Sequence, residues 1–511
     1  MTDLCHYGLV LRLMPGTILA SALILTGLLV SLACSNTSGS IDTATPTRLP
    51  TLTAIPTPTA NLLPSPSPTV YSSGATEPTP EKLASPAEPA ATQPATPAPE
   101  PTNRPVHSDP VTPAAIGSTE ARTADPRLTR IVQKISVGVA ETRGLTFLEP
   151  LAPQLITRPE LTEYLAAIID AEDQDELARL QELYWLLGLL DPSVELYDLF
   201  LDLLGEQVLG LFNLETDELL VVAETLPLDT AGKLTMAHEL VHALQQQRFD
   251  ARRLVEESET NQDRELAMTA LLEGDATVAS GLYAAANLSM AEMLDLLPKA
   301  EDSEVQVFQS APPVIQKTLL PPYQAGAEFV SSVQQAPGIW RQVNQIYSRP
   351  PVSTEQILHP AKYKSGENPI PVSLPPGGPA IQEDWELVME DVLGEFLLRT
   401  YLETSLPRPQ AVKAASGWGG DRFRLLRDDS GRRLFVAVIV WDTTIDAREF
   451  FEAYKEFTGR AQRWESHEED GNMAVWHTPG RSVLLELKGE ITLIGIAPGQ
   501  DTLDLIAKDF P

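Results

Sequence analysis

The sequence predicts an α+β protein that is mainly α-helical, and three features predict it. Between 157 and 347, apolar residues recur at helical spacing behind capping residues. At 208–223 the period changes to that of a β-hairpin. Beyond 423, short strands and helices alternate, the pattern of a small C-terminal α+β module.

The amino-terminal quarter stands apart. After Arg12 an uncharged apolar run, Thr17 to Ala33, has the make-up of a secretory h-region or a membrane span. It ends in Ser31-Leu32-Ala33-Cys34-Ser35, which resembles the lipobox of bacterial lipoproteins, with Ser31 where an aliphatic residue is usual. That resemblance implies lipidation of Cys34. An uncleaved signal anchor gives the same address, and only a buried core helix would not. Residues 1–34 are therefore expected to be a lipoprotein signal or membrane anchor, leaving the protein extracytoplasmic and tethered to the cell membrane. Residues 35–125 are rich in Pro, Thr, Ser and Ala. They hold too few large apolar groups to offset the entropy of ordering, and are expected to form a disordered, semi-rigid stalk.

Patterned sequence begins near Pro126. Thr157 and Glu160 are expected to form a capping box, with Pro159 in the first turn and Leu161, Leu165, Ile168 and Ile169 along one face. Helices are expected at about Asp175 to Leu187, closed by Gly188 and Pro192, and at Ser193 to Leu204. Val208 to Phe212 and Leu219 to Ala223 then flank a turn at Asn213 to Asp217. Thr230 is expected to cap a helix reaching about Gln247, and another helix spans about Arg264 to Ala279. Helices continue to about Tyr347, with a second capping box at Ser289 to Glu292, before a Pro- and Gly-rich loop or connection at 348–380. A helical stretch is expected from Trp385 to Leu402, then strands at Phe423 to Leu426 and Leu434 to Trp441. A helix at Asp446 to Phe457, three short strands between Met473 and Ala497, and a last helix near Thr502 to Phe510 complete the chain. The folded part thus divides into 126–380 and 381–511.

With 37 basic against 70 acidic residues, the formal charge of −33 repels phosphate backbones, so nucleic acid is not expected as a partner. Both cysteines, Cys5 and Cys34, precede the folded region, which leaves it no disulfide and no thiolate ligand. A metal there must use His, Asp or Glu. Of the seven histidines, His238, His242, His359, His467 and His477 lie in the folded part.

The segment Met236-Ala237-His238-Glu239-Leu240-Val241-His242-Ala243-Leu244 is an HExxH motif on an expected helix. Residues four apart share a face, so both imidazoles can reach one ion while Glu239 falls beside them. Zinc accepts such nitrogen and oxygen ligands and makes water acidic enough for a carboxylate to take its proton. The apolar flanks Leu240, Val241 and Leu244 speak against a solvated turn, since they would bury three polar side chains without partners. The third ligand decides the class. The longer metzincin pattern needs a histidine where Arg248 stands and a glycine where Gln245 stands, so that class is excluded. A glutamate from the following helix remains: Glu273 first, flanked by small Thr269, Ala270, Ala276 and Thr277 that let its helix come close, then Glu265, then Asp263.

The set His238-Glu239-x-x-His242 plus Glu273 resembles the gluzincin group of zinc metallopeptidases, and the HELVHALQ helix is similar to that of uncharacterised secreted bacterial proteins. The resemblance covers about Val208 to Ser280. It implies a zincin-like core, zinc held by His238, His242 and Glu273, and water activated by Glu239. It also implies an edge strand, Leu219 to Ala223, that pairs with extended peptide substrate. Two departures stand out: Thr277 occupies the place of a supporting aspartate, with Asp275 two residues away, and the interval from His242 to Glu273 is long.

Peptidases of this kind need a donor for the developing oxyanion, and the dense segment Ser353 to Tyr363 offers His359 or Tyr363. The plainer alternative is that His359 ends a short helix before Pro360 and bonds locally. Gly417-Trp418-Gly419-Gly420-Asp421-Arg422 reads as a tight turn with a packing tryptophan, or as a groove lined by Trp418. His467 and His477 are assigned to the surface and to a strand. The expected function is a tethered zinc peptidase acting on peptide or protein. A noncatalytic lipoprotein with a structural zinc, and a zinc hydrolase of a nonpeptide substrate, are the alternatives.

Overall fold

A computed structural model describes residues 125–169, 171–222, 226–296, 310–319, 321–334, 336–375 and 384–509. The apolar run at 17–33, both cysteines and the stalk up to 124 lie outside the described residues. Among those described, no helix is long and apolar enough to cross a membrane.

Helix α1 (Pro126–Arg143) starts at a cap, the Asp125 carboxylate accepting from Arg127 N at 2.7 Å, and stops at Gly144 with φ 68°. Strand β1 (Pro153–Ile156) follows, then α2 (Arg158–Ile168), α3 (Ala171–Leu187) and α4 (Leu196–Gln207). The capping box at Thr157 forms, its N–H donating to Glu160 Oε2 at 2.8 Å. Hairpin β2 (Gly210–Phe212) and β3 (Leu219–Val222) turns on Asn213, whose Oδ1 accepts from Glu215 N and Thr216 N at 2.7 and 3.1 Å.

Strand β1 carries no alternation that marks it in the sequence, yet it pairs in parallel with β3 and sets the order β1-β3-β2. This corrects the expectation that Leu219 to Ala223 forms an edge. β3 is the central strand, and β2 is the edge strand that packs on the HExxH helix.

That helix, α5 (Thr230–Phe249), is capped one residue earlier than expected: Asp229 Oδ1 accepts from Gly232 N at 2.8 Å, and Thr230 is already helical. Its residues 234–245 are buried on every side, so Thr235, His238, Glu239, His242 and Gln245 lie in the interior. There follow α6 (Ala251–Ser258), α7 (Gln262–Asn287), α8 (Met290–Asp295), α9 (Pro313–Leu319), α10 (Pro321–Val333), α11 (Arg341–Ile346), α12 (Thr354–Leu358) and α13 (Pro360–Ser365). Helix α8 has the expected capping box, Ser289 N to Glu292 Oε2 at 2.9 Å.

The small residues of α7 admit a second helix besides α5. A Cβ on Gly274 would stand 2.1 Å from the Gly326 carbonyl carbon, and one on Gly326 would stand 1.9 Å from Ala270 O. Only glycine at both places lets α7 and α10 cross backbone to backbone, which brings the start of α10 over Glu273.

The rest is β4 (Trp385–Asp391), α14 (Gly394–Leu402), α15 (Arg408–Ala415), β5 (Trp418–Asp428), β6 (Arg433–Trp441), α16 (Thr444–Ala461), β7 (Ser466–Asp470), β8 (Met473–Thr478), β9 (Arg481–Lys488), β10 (Ile491–Ala497) and α17 (Gln500–Asp509). These strands form a seven-stranded sheet in the order β4-β5-β6-β10-β9-β8-β7, with every neighbouring pair antiparallel. The expected helix over Trp385 to Leu402 is corrected: its first half is β4. A register shift between Leu387 and Met389 breaks the alternation of β4, and Gly394 at φ 73° turns the chain into α14.

The protein is α+β, with helices dominating before 380 and a sheet-based assembly after it. One apolar cluster runs from Ile156, Leu161 and Leu203 through Phe423, Trp441, Phe451 and Ile496, drawing on both parts. A second surrounds the α5–α7 pair and includes Leu240, Leu244, Leu271 and Phe329.

Candidate metal centre

Two helical turns of α5 and one of α7 bring three ligand atoms together. His242 Nε2 lies 3.0 Å from His238 Nε2, His238 Nε2 lies 3.1 Å from Glu273 Oε2, and His242 Nε2 lies 3.6 Å from Glu273 Oε1. All three side chains are at most 2% exposed. Bonds of about 2.0–2.1 Å at tetrahedral angles would put neighbouring N and O ligands about 3.3 Å apart, so the group has the size and donor types of a zinc site. Burial opposes charge on both rings. At His238 it prevails and the pKa falls; at His242 the negative charges of Glu273 and then Glu239 outweigh it and lift the pKa to about 9. Those same imidazoles hold Glu273 below its ordinary value against its own burial.

The tautomer of His242 follows from its outer partner. Gln245 Nε2 donates to Leu272 O at 2.9 Å and Asp275 Oδ2 at 3.3 Å, which leaves Gln245 Oε1 to accept from His242 Nδ1 at 2.8 Å. With Nδ1 thus holding a proton, Nε2 is the nitrogen of His242 that would give up its proton and offer a lone pair to a metal between His238 and Glu273. Asp275 is anchored in turn by Arg143, through Nε at 2.7 Å and Nη2 at 2.9 Å, and by the Tyr347 hydroxyl at 2.5 Å. Thr277, in the position where the resemblance calls for an aspartate, has a buried hydroxyl with no hydrogen-bond partner among the described residues. Support for the ring thus passes through Gln245 to Asp275. His238 has no such arm, since its Nδ1 is buried and unpartnered.

Glu239 is fully buried, and its Oε2 accepts from Phe212 N at 2.9 Å, so β2 fixes the carboxylate. Arg143, Tyr347 and the orienting role of Gln245 were missed in the sequence, and so was Tyr323, at the start of α10. Burial first, then the charges of Glu273 and Glu239 and a hydrogen bond to Glu273, raise its phenol well above the ordinary range. It remains a proton donor, hydrogen-bonded to Glu273. The only signal for it was the glycine inside the α10 helix, which gives no register with α5.

Residues 386–507 match the model of a domain of unknown function (DUF8575). No curated protein and no solved structure is similar to the chain. The match lies after the metal centre in sequence and does not include its residues.

The remaining candidates lie elsewhere. Glu265 and Asp263 leave the imidazole pair to Glu273. Asp263 accepts from Thr354 N at 3.2 Å, whereas both oxygens of Glu265 are buried without a hydrogen bond among the described residues, and burial, then the charges of Asp391, Glu176 and Glu259, push its pKa well above the ordinary range. His359 Nε2 bonds Glu395 Oε1 at 2.9 Å, and the Tyr363 hydroxyl donates to Arg349 O at 2.8 Å; neither is brought to the metal group. Trp418 is fully buried and its Nε1 donates to Asp421 Oδ1 at 2.9 Å, so it packs and lines no groove. His467 stacks on Trp476 at 5.0 Å, and His477 Nδ1 meets Ser482 Oγ at 2.7 Å. A second acidic group, Glu355, Glu367 and Asp442, already holds the Lys362 ammonium at its centre, with Nζ 2.6 Å from Glu355, 2.7 Å from Glu367 and bonded to Asp442.

Burial also sets a pH response. It pushes Asp391 from 3.8 up to about 7, against hydrogen bonds from Val392 N and Gln262 N. The unfolded chain loses this proton near 3.8 while the folded chain keeps it, so stability falls as pH rises from about 4 to 7. Asp391→Asn keeps the acceptor and removes the titration. The variant is expected to gain up to about 4 kcal/mol on the wild type between pH 4 and 8, read by urea unfolding at the two pH values. Parallel pH profiles would contradict this.

Proposed function

We propose that the chain is an extracytoplasmic, membrane-tethered zinc peptidase of gluzincin type, with 126–380 as a zincin-like catalytic part and 381–511 as an accessory module. The observation that carries the reading is the convergence of His238 Nε2, His242 Nε2 and Glu273 within 4.8 Å of one another, with Glu239 alongside. Held by these residues, zinc supplies Lewis acidity that acidifies water and polarises a carbonyl. Glu239, fixed by Phe212 N–H, receives the proton from water at its carboxylate and passes it to the leaving nitrogen. Tyr323 donates a hydrogen bond to the developing oxyanion, the role expected of His359 or Tyr363.

Digestion of a peptide library by the full chain, with and without chelator, tests this. Chelator-sensitive cleavage is expected, and Tyr323→Phe should lower kcat by about 10²–10³ with zinc content unchanged. Absence of cleavage by the metal-loaded chain would overturn the peptidase reading.

One observation favours a second reading. His238, Glu239, His242 and Glu273 are all at most 2% exposed, which suits a structural zinc in a noncatalytic lipoprotein. That reading leaves Glu239 and Tyr323 without a task, and it predicts that chelation unfolds the chain without any hydrolysis to lose.

A further inference from the structure

A pocket of about 450 Å³ opens between the end of α3 and the β5–β6 and β8–β9 turns. Its walls include Trp185, Pro192, Ile496, Arg432, Arg433 and Arg481, and no acidic residue lines it. In a chain of net charge −33, three arginines around one concavity are a local reversal of the prevailing field. Nearby acids neutralise it only in part. Asp428 pairs with Arg432, and Glu182 is shared by Arg427 and Arg433, so four guanidinium groups face two carboxylates. Arg481 has no carboxylate at all: among the described residues its bond is from Nη1 to Leu186 O at 2.7 Å. The indole N–H of Trp185 is buried with no partner, while Arg433 lies 5.6 Å over its ring. A planar oxyanion would satisfy the guanidinium fork of Arg481, and the remaining wall is apolar.

We infer that this pocket binds a ligand with a carboxylate on an apolar body, the carboxylate held by Arg481 and the body laid along Trp185, Pro192 and Ile496. The inference does not depend on the metal centre. Its sources are a small organic acid or the free carboxyl terminus of a peptide, and both place one carboxylate beside an apolar group.

Calorimetric titration of the full chain at low ionic strength tests it, with 3-phenylpropionate for the first source and N-acetylphenylalanine for the second. Each is compared with its carboxamide. Saturable binding of at least one acid is expected, weakened at least about tenfold in the amide and at least about tenfold by Arg481→Gln. Arg432→Gln, whose side chain is 59% exposed and outside the core, should weaken it as well, with Tm measured alongside to confirm that the variant is folded. Equal binding of acid and amide, or unchanged affinity in both variants, would overturn the proposal. So would phenyl phosphate binding while both carboxylates fail.

Discussion

Glu239→Gln is expected to lower kcat/KM for peptide cleavage roughly a hundredfold to ten-thousandfold, about 3–5 kcal/mol of barrier, while zinc content stays unchanged. The substitution keeps shape and an oxygen that accepts from Phe212 N, now 2.9 Å from Oε2, so β2 and α5 should stay in place. What it removes is the ability to hold a proton beside the imidazole pair. Paired measurements of cleavage rate and metal content on the two proteins are the check. Hydrolysis at the wild-type rate would sink the mechanism, whereas loss of zinc would show that Glu239 helps to build the site.

The largest stability effect is expected at Arg143→Met. Arg143 and Asp275 are both 0% exposed, and the methionine would leave a buried carboxylate whose remaining polar partners among the described residues are Tyr347 and Gln245. Breaking such a pair from one side costs about 3–5 kcal/mol. Because Asp275 holds Gln245 and Gln245 holds His242, zinc affinity should fall as well, by about 10–100-fold. Pairing Arg143→Met with Asp275→Leu should recover much of the stability but not the whole affinity, since Gln245 is then oriented by Leu272 O alone. Urea unfolding and competitive zinc titration separate the two effects. Stability within about 1 kcal/mol of the wild type would contradict the account of the network.

Much of this architecture was legible in residue spacing. The capping boxes at Thr157 and Ser289, the hairpin around Asn213 and the α5 face shared by His238 and His242 are local features, set by a few neighbouring residues. Long-range effects hid the rest. The bulge in β4 scrambles the period of two, and β7 (Ser466–Asp470) is exposed throughout, so neither carries an apolar alternation to read. Asp275 looked unsuitable because it sits two residues round α7 from Glu273. Gln245 bridges that gap from another helix. Tyr323 reaches Glu273 only because Gly274 and Gly326 let two helix backbones touch, a contact that no local pattern around Pro321 announces.

The most direct test of the central claim is the metal content of the purified full chain, measured by mass spectrometry for the wild type, Glu239→Gln and Glu273→Ala. About one zinc per chain is predicted in the first two and loss of it in the third, because among the described residues only Glu273 completes the imidazole pair. A wild-type chain that takes up no zinc, or a Glu273→Ala chain that binds it as tightly, would contradict the account.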